Sequence, residues 1–329
     1  MFEAYILLQD LHLALKKANR FNYSEECYAV LNFIHTLADK YRNLQCNKVS
    51  GISLGDLSDR GYNTRKEYSG VTQMIKWLIK AFDDFYLNFG NHEITYCKDN
   101  PVYHFIRDIQ NKAIRTAHSK IVCESKINEI LTPERLEFED FEILFQGWNT
   151  YLTPNLKKQS FLLLHQTMLT QASLSAVRAE LQYEEHNYNQ DFTGIQKVYA
   201  GHSHTVIERW HINDTEIINL GSLLRTNVNE VSDLNLRRHI PVILVEDGYL
   251  SKIIYEPLDL HKRALIIDED SLKRGQEANR EYAFQHKVKE RALAPSLELG
   301  NPIDNLTSRI KSQGDDNLMT LFEELRRKV

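Results

Sequence analysis

Acidic and histidine residues, which can bind metal ions, stand in short motifs along the first two thirds of the chain. Asp56 lies in residues 55–61 (GDLSDRG), directly after an apolar run that ends at Leu54. An aspartate in such a loop can bridge two hard cations, because each carboxylate oxygen can bind one of them. A solvated turn would also use Asp, Ser and Gly, so this segment by itself leaves both interpretations open.

Four further motifs carry metal-binding side chains, and each follows a short apolar run typical of a buried strand. Residues 5–8 (YILL) precede a QDLH segment, and residues 85–89 (FYLNF) precede GNHE. Residues 161–164 (FLLL) run into a histidine, and residues 197–200 (KVYA) precede GHSH. With the aspartate of GDLSDRG, these motifs give seven candidate ligands: Asp10, His12, Asp56, Asn91, His165, His202 and His204.

These apolar runs alternate with amphipathic helical patterns, which predicts an α/β fold. Apolar residues repeat at helical spacing over 30–41 and 71–79, and the first strand, helix and second strand form a βαβ unit. The carboxyl ends of parallel strands meet at one edge of an open α/β sheet, so we expect the candidate ligands to lie together there. Imidazole and oxygen ligands without thiolate suit ions such as Mn, Fe or Zn, and seven ligands suffice for two ions.

Two neighbouring divalent ions favour phosphoester hydrolysis, because they activate a water molecule and neutralise the phosphoryl oxygens. In this hypothesis Asp56 bridges the two ions, and His92, next to Asn91, donates a proton to the leaving oxygen. Asp59 could hold the His92 imidazole in the productive tautomer. Arg60 could bind a phosphate oxygen.

The five motifs, taken in order, resemble the calcineurin-like metallophosphoesterase superfamily over residues 5–255. The resemblance implies a sandwich of two mixed β-sheets flanked by helices, with a dinuclear metal site at the strand ends. It also implies that Asp56 binds both ions and that His92 is the general acid, with Mn favoured and Fe, Zn and Mg as further candidate metals. One ion would be held by Asp10, His12 and His204, and the other by Asn91, His165 and His202.

Two branches of this superfamily compete for the substrate. GDLSDRG with GNHE resembles Ser/Thr phosphoprotein phosphatases and diadenosine tetraphosphate hydrolases, in which the arginine binds substrate phosphate. The second histidine of GHSH departs from that group, which usually has GHT. Residues 219–225 (NLGSLLR) and 237–245 (RRHIPVILV) instead resemble the DNA-repair exonuclease branch, which includes SbcD-type nucleases and related phage proteins. We therefore favour cleavage of DNA, with a protein or nucleotide phosphatase as the alternative.

A nuclease needs a basic or stacking surface beside its metal ions. The candidate DNA contacts are four cationic and two aromatic residues: Arg225, Arg237, Arg238, Lys252, Tyr62 and Trp148. Each of them could instead be an ordinary solvated charge or a core aromatic. A catalytically weak subunit that only binds a partner or nucleic acid is a third hypothesis, against which the complete ligand set argues.

The predicted catalytic domain spans residues 1–258, with a helical insertion at 95–140 and C-terminal sheet or capping strands at 205–258. Residues 259–329 form a charged, mostly helical appendage. Within it, apolar residues over 315–328 repeat at helical spacing and predict a helix that packs on its own domain or binds a partner. The resemblance suggests a coiled-coil ATPase of the SbcC type as that partner, and a homodimer is a further candidate assembly.

Composition narrows the class of protein. With 329 residues, 42% of them hydrophobic, the chain can bury a substantial core and is not a disordered chain. Its formal net charge of −5 argues against a globally basic nucleic-acid binder but leaves a local basic patch open. The four cysteines form no CxxC pair, which argues against a zinc knuckle. Without a signal-peptide pattern or an apolar run of about 18 residues, the expected location is cytoplasmic.

Overall fold

The computed structural model describes the core of the first of two compact units, Met1–Ile267 and Asp268–Val329. The described residues are 1–17, 22–59, 65–88, 90–92, 120–123, 135–148, 156, 159–166, 168, 192–202, 204, 208–224 and 238–258. The predicted helix at 315–328 and most of the predicted insertion at 95–140 lie outside them. Neither of the two described helices is long and apolar enough to cross a membrane.

Helix α1 spans Tyr23–Asn43 and helix α2 spans Arg65–Ile79. The strands of the described part are β1 (Phe2–Leu8), β2 (Lys48–Ser53), β3 (Asp84–Leu87), β4 (Lys120–Cys123), β5 (Arg135–Glu137), β6 (Phe141–Gln146), β7 (Gln159–His165), β8 (Ile195–Gly201), β9 (Glu208–Ile212), β10 (Thr215–Asn219), β11 (Arg238–Glu246) and β12 (Tyr249–Leu258).

The first sheet has the strand order β12-β11-β1-β2-β3-β4. Strands β1 to β4 are parallel, and β11 and β12 add an antiparallel hairpin beside β1. Asp247 and Gly248 connect the hairpin with φ angles of 51° and 87°, the left-handed conformation that tight two-residue hairpin turns need. These two residues therefore form the turn of the β11–β12 hairpin.

The second sheet has the order β5-β6-β7-β8-β10-β9. Its four inner strands are parallel, and β5 and β9 pair antiparallel at the two edges. Both sheets are thus mixed, and the predicted α/β class with two mixed sheets is confirmed.

Strand β1 explains how the layers hold together, because its side chains alternate between two apolar clusters. Ala4 and Ile6 pack towards the cluster that includes both helices, while Tyr5 and Leu7 pack between the two sheets. Fully burying one side chain of the size of leucine stabilises a fold by about 1.5–3 kcal/mol. A strand buried on both faces reads as a continuous apolar run, which is why residues 5–8 show no alternation in the sequence.

The structure adds detail to three regions of the predicted organisation. Strands β4 and β5 lie within residues 95–140, which the sequence pattern predicted to be mostly helical. Trp148 lies in a turn after β6, whose neighbours in the sheet are β5 and β7. The strands of residues 205–258 extend the two central sheets, since β11 pairs with β1 and β10 pairs with β8.

Candidate metal centre

The predicted ligands follow the carboxyl ends of β1, β2, β3, β7 and β8. In the first sheet these ends lie side by side, because Leu8 pairs with Ser53 and Ser53 pairs with Leu87. In the second sheet His165 pairs with Gly201, the last residue of β8. The register within each sheet therefore brings its own ligand-bearing loops together, and the two sets meet where Oδ1 of Asp56 lies 3.4 Å from Nε2 of His165.

The backbone at this edge is locally strained. Asp10, His12, Asp56 and His202 have φ angles of 39°, 44°, 49° and 76°. Non-glycine residues adopt this left-handed region uncommonly, and such conformations cost about 1–3 kcal/mol each. Four of the seven non-glycine residues with positive φ in the described part of the chain are predicted ligands, so the strain is concentrated where the loops turn these side chains into the centre.

Two glycines make room for the ligands. At Gly55 φ is 119°, and a Cβ atom there would overlap the ring of His165. A Cβ atom on Gly90 would overlap Oδ1 of Asp56. The glycines of GDLSDRG and GNHE are therefore required by the close approach of the loops to the buried side chains.

One group of candidate ligands comprises Asp10, His12, Asp56 and His204, whose ligand atoms all lie within 4.8 Å of one another. Nε2 of His12 lies 2.8 Å from Nε2 of His204 and 3.5 Å from Oδ2 of Asp56. Two imidazole nitrogens this close must share a proton or a cation, because two facing lone pairs repel each other. The geometry suits a divalent cation.

A second group comprises Asp56, His165 and His202, again within 4.8 Å. Nε2 of His165 lies 3.4 Å from Oδ1 of Asp56. One terminal atom of the Asn91 amide lies 2.9 Å from Nδ1 of His202 and 3.2 Å from Nε2 of His165. When this atom is the amide nitrogen, it donates a hydrogen bond to Asp56. Rotation of the amide by 180° would place its oxygen at the same position, where the oxygen could bind a cation.

Asp56 belongs to both groups, and its two oxygens face different partners. Oδ2 points towards His12, while Oδ1 points towards His165 and accepts a hydrogen bond of 2.9 Å from the backbone N–H of His92. The structure thus brings all seven predicted ligands together in two groups that share one carboxylate. Four imidazoles, two carboxylates and one amide are a donor set that fits two divalent ions. Which ligand holds which ion stays a prediction, as does the identity of the metal.

The pKa values of the two carboxylates of the centre are shifted in opposite directions. Burial raises the pKa of Asp10 to about 6, although the adjacent imidazoles oppose this shift. Burial acts in the same direction on Asp56, but His165, together with His12 and His92, outweighs it and holds the pKa of Asp56 well below its ordinary value. Asp56 is therefore anionic throughout the physiological range, as a bridging ligand must be.

Burial keeps most of the imidazoles unprotonated. It lowers the pKa of His92 to about 4, that of His202 to about 3 and that of His204 to about 2. Burial also disfavours the charged form of His12, but the Asp59 carboxylate, 3.5 Å from its Nδ1, and the carboxylates of Asp56 and Asp10 outweigh it, and the pKa of His12 is raised. Because neutral imidazole is the form that binds metal, a cation bound by His12 would displace its proton.

Asp59 contacts the centre through one oxygen. Oδ1 lies 3.5 Å from Nδ1 of His12 and 4.0 Å from Nδ1 of His92, and it accepts a hydrogen bond from the Lys17 ammonium. At 4.0 Å the pair with His92 is longer than a hydrogen bond, so the orientation of His92 by Asp59 stays a prediction. The Lys17 contact was missed by the sequence analysis, because the two residues are 42 positions apart and no local pattern joins them.

Of the six residues predicted to contact DNA, the structure describes Arg238, Lys252 and Trp148. Arg238 is buried, with 7% of its surface exposed, and its guanidinium donates a hydrogen bond of 2.9 Å to the carbonyl oxygen of Leu224. It therefore forms no part of an exposed basic surface, which corrects the expectation that it offers its charge to DNA. Lys252 is exposed on β12. The remaining cationic and tyrosine candidates, Arg60, Tyr62, Arg225 and Arg237, lie outside the described residues.

No protein-family model and no curated protein matches the chain. Among solved structures it is similar to Thermus thermophilus sulfate thiohydrolase SoxB (9% identity, TM-score 0.44), a 5′-nucleotidase precursor from the same organism (13%, 0.39) and Haemophilus influenzae NAD nucleotidase, NadN (11%, 0.39). These alignments cover 89%, 89% and 96% of this chain but only 62%, 60% and 60% of theirs, so the chain spans less than two thirds of each. The likeness concerns the fold alone, and the function proposed below rests on the residues of the centre.

Proposed function

We propose that the chain is a calcineurin-like metal-dependent phosphoesterase that cleaves phosphodiester bonds, with DNA as the favoured substrate. The observation that carries this proposal is the placement of Asp56, which directs one oxygen to each of two groups of imidazoles. Two divalent ions held there would supply Lewis-acid activation of water and charge neutralisation at the phosphoryl oxygens. Mn is the favoured metal, with Fe, Zn and Mg as alternatives.

The seven ligands would divide between the ions as the sequence predicts. Asp56 binds both ions, and the remaining ligands fall into two sets: Asp10, His12 and His204 for one ion, and Asn91, His165 and His202 for the other. The left-handed backbone at four of these residues holds the side chains in place before the substrate arrives, which reduces the reorganisation that catalysis requires.

His92 would donate the proton to the leaving oxygen. Its side chain is 16% exposed, against 1% for His12, so substrate can reach His92 more readily than His12. Its pKa of about 4 leaves it neutral at pH 7. An anionic phosphate beside the ring raises this pKa, so the proton-donating form belongs to the complex with substrate. The His92 backbone N–H fixes its position relative to Asp56.

The sequence motif that contains His204 is the ground for proposing a nuclease over a phosphatase. This second histidine of GHSH lies 2.8 Å from His12 within the first group of ligands, and it is the residue by which the chain departs from the phosphatase pattern. Since Arg238 is buried, we propose that Arg225 and Arg237 contact the DNA backbone and that Arg60 contacts the reacting phosphate. These three residues lie outside the described part of the chain.

An activity assay with Mn separates the alternatives. We expect degradation of linear DNA and hydrolysis of bis(p-nitrophenyl) phosphate, both greatly reduced in a His92→Ala variant. A His35→Ala variant is a matched control, because His35 lies on α1 and contacts the Trp77 carbonyl, away from the centre. Hydrolysis of p-nitrophenyl phosphate alone would favour the phosphatase alternative. Two bound ions without hydrolysis of any of these esters would reject the proposed activity.

We further propose that residues 315–328 bind a coiled-coil ATPase partner. A pull-down that compares the full chain with one that ends at Gly314 tests this, and the full chain alone should retain the ATPase. An identical set of captured proteins with both chains would show that the helix packs on its own domain.

A further inference from the structure

We propose that Trp148 is a stacking platform for a nucleobase of the substrate, next to the ligands His165 and His202. The inference rests on the proposed phosphoesterase function and deepens it, because it names the substrates as phosphoesters that carry a base. Trp148 is neither a candidate metal ligand nor the proposed proton donor, so its role can be tested separately from theirs.

The strand register places Trp148 at the edge of the sheet that carries the ligands. Strands β6, β7 and β8 are parallel neighbours, with Gln146 paired to Leu164 and His165 paired to Gly201. Trp148 lies two residues beyond Gln146, so it follows the end of β6 as His202 follows the end of β8. Three adjacent strands therefore present an indole and two imidazoles side by side.

The ring contacts of Trp148 are with the centre. The centroid of its ring lies 4.6 Å from that of His202, at an interplanar angle of 44°, and 6.4 Å from that of His165. The residue is only half-buried, and it belongs to none of the three apolar clusters formed by the described residues. A partly exposed aromatic ring fixed beside a reaction centre is suited to stack on a base, and such stacking tolerates any base because each has a π-face.

The competing role for Trp148 is to hold the His202 ring in place. A positioning role of this kind would weaken metal binding and would affect every phosphoester equally. A platform would affect only ligands that carry a base, and it would leave the number of bound ions unchanged. The two roles therefore predict different results for one pair of ligands.

The test is equilibrium binding of two phosphonate esters to the Mn-loaded protein by calorimetry. Thymidine 5′-methylphosphonate and methyl methylphosphonate present the same anionic phosphonate, and only the first carries a base. We expect Trp148→Ala to weaken binding of the thymidine ester by about tenfold or more, which is the range of one base–aromatic contact. Binding of the methyl ester should change by less than about twofold, and Trp148→Phe should restore most of the affinity for the thymidine ester.

Two controls make the result decisive. Trp77→Ala removes an indole that is 44% exposed on α2, and it should leave both affinities unchanged. Metal analysis should find as many ions in Trp148→Ala as in the wild type. An equal loss of affinity for both esters, or the loss of a bound ion, would reject the stacking role in favour of a positioning role. If neither ester lost affinity, the stacking role would be rejected outright. Hydrolysis by the wild type is measured separately, so failure of the proposed activity would not be mistaken for failure of this inference.

Discussion

The two halves of the centre share one carboxylate but have different neighbours, one charged and one neutral. In the half that contains His12 and His204, the Asp59 carboxylate lies 3.5 Å from His12 and accepts a hydrogen bond from Lys17. Burial opposes the ionised form of Asp59, but the His12 imidazole at 3.5 Å and the Lys17 ammonium outweigh it and hold its pKa well below the ordinary value. This half therefore adjoins an ion pair.

In the half that contains Asn91, His165 and His202, a neighbour outside the ligand set is the Trp148 indole, and Oδ1 of the ligand Asp10 lies 3.4 Å from Nδ1 of His165. The indole carries no charge. The difference suggests a division of roles along the edge of the sheet, in which the charged half governs the reacting phosphate and the neutral half accommodates an uncharged part of the substrate. The experiments below test that division, in order of decreasing effect on activity.

Replacing the shared carboxylate should have the largest effect. Asp56→Asn removes the charge that both halves use, so we expect loss of both ions and a fall in activity of about a thousandfold, since metal ions contribute several kcal/mol to such reactions. Metal analysis and hydrolysis of bis(p-nitrophenyl) phosphate measure the two effects. Asp84→Asn is the control, because Asp84 pairs with Lys48 at the amino ends of β3 and β2, opposite the strand ends that carry the ligands. Two ions retained in Asp56→Asn would refute its bridging role.

Replacing one histidine in each half should remove one ion at a time. We expect His204→Ala and His202→Ala each to keep one ion per chain, because each variant leaves Asp56 and the other half intact. Activity should fall by about a hundredfold in both variants. If either variant loses both ions, or keeps both, then the two groups of ligands are not separate sites.

Replacing the charged neighbours should have a smaller effect. Asp59→Asn removes the acceptor beside His12, and changes to groups that support a ligand typically cost about 10–100-fold in metal affinity or activity. Lys17→Gln should cost less than about tenfold, because it removes only the partner of Asp59. The ratio of kcat for the two variants checks this order. A larger loss in Lys17→Gln would mean that Lys17 contacts the substrate directly.

A buried carboxylate outside the centre should affect stability alone. Glu256 accepts hydrogen bonds from Tyr41 (2.5 Å) and Lys40 (2.7 Å), and its pKa is lowered because these contacts outweigh burial. We expect Glu256→Gln to lower the free energy of unfolding by about 1–2 kcal/mol with unchanged activity. Because the folded-state pKa lies below the unfolded value of about 4.5, the wild-type advantage is present above that pH and shrinks as the pH falls. Urea denaturation of both proteins at pH 7 and pH 4 measures this advantage. A difference in the free energy of unfolding that is the same at both pH values would contradict the stabilising role of the ionised Glu256.

The strand ends and the convergence of the seven candidate ligands could be predicted from the sequence. Each apolar run is short, its strand is buried on both faces, and a candidate ligand follows directly after it. The topology of parallel strands places Asp10 and Asp56 at one edge of the first sheet, and His165 and His202 at one edge of the second. The strands that were missed are short. Residues 120–123 lie among isoleucines that also fit helical spacing, and four residues are too few for a period of two to be distinguished from a helical one.

The neighbours of the ligands could not be predicted, because they depend on tertiary contacts. Lys17 meets Asp59 only in the folded chain, and no spacing rule links the two. Arg238 would be assigned to the surface by its charge, yet the carbonyl oxygen of Leu224 satisfies its guanidinium in the interior. Trp148 could have been core or surface, and its place followed only from the register of β6 with β7.

The number of Mn ions bound by the chain tests the central claim most directly. Metal-free protein is titrated with Mn by calorimetry, and hydrolysis of bis(p-nitrophenyl) phosphate is followed at each step. We predict two ions per chain, with hydrolysis that rises as the second ion binds and is abolished by a chelator. Binding of one ion or none, or hydrolysis that a chelator leaves unchanged, would contradict a dinuclear phosphoesterase.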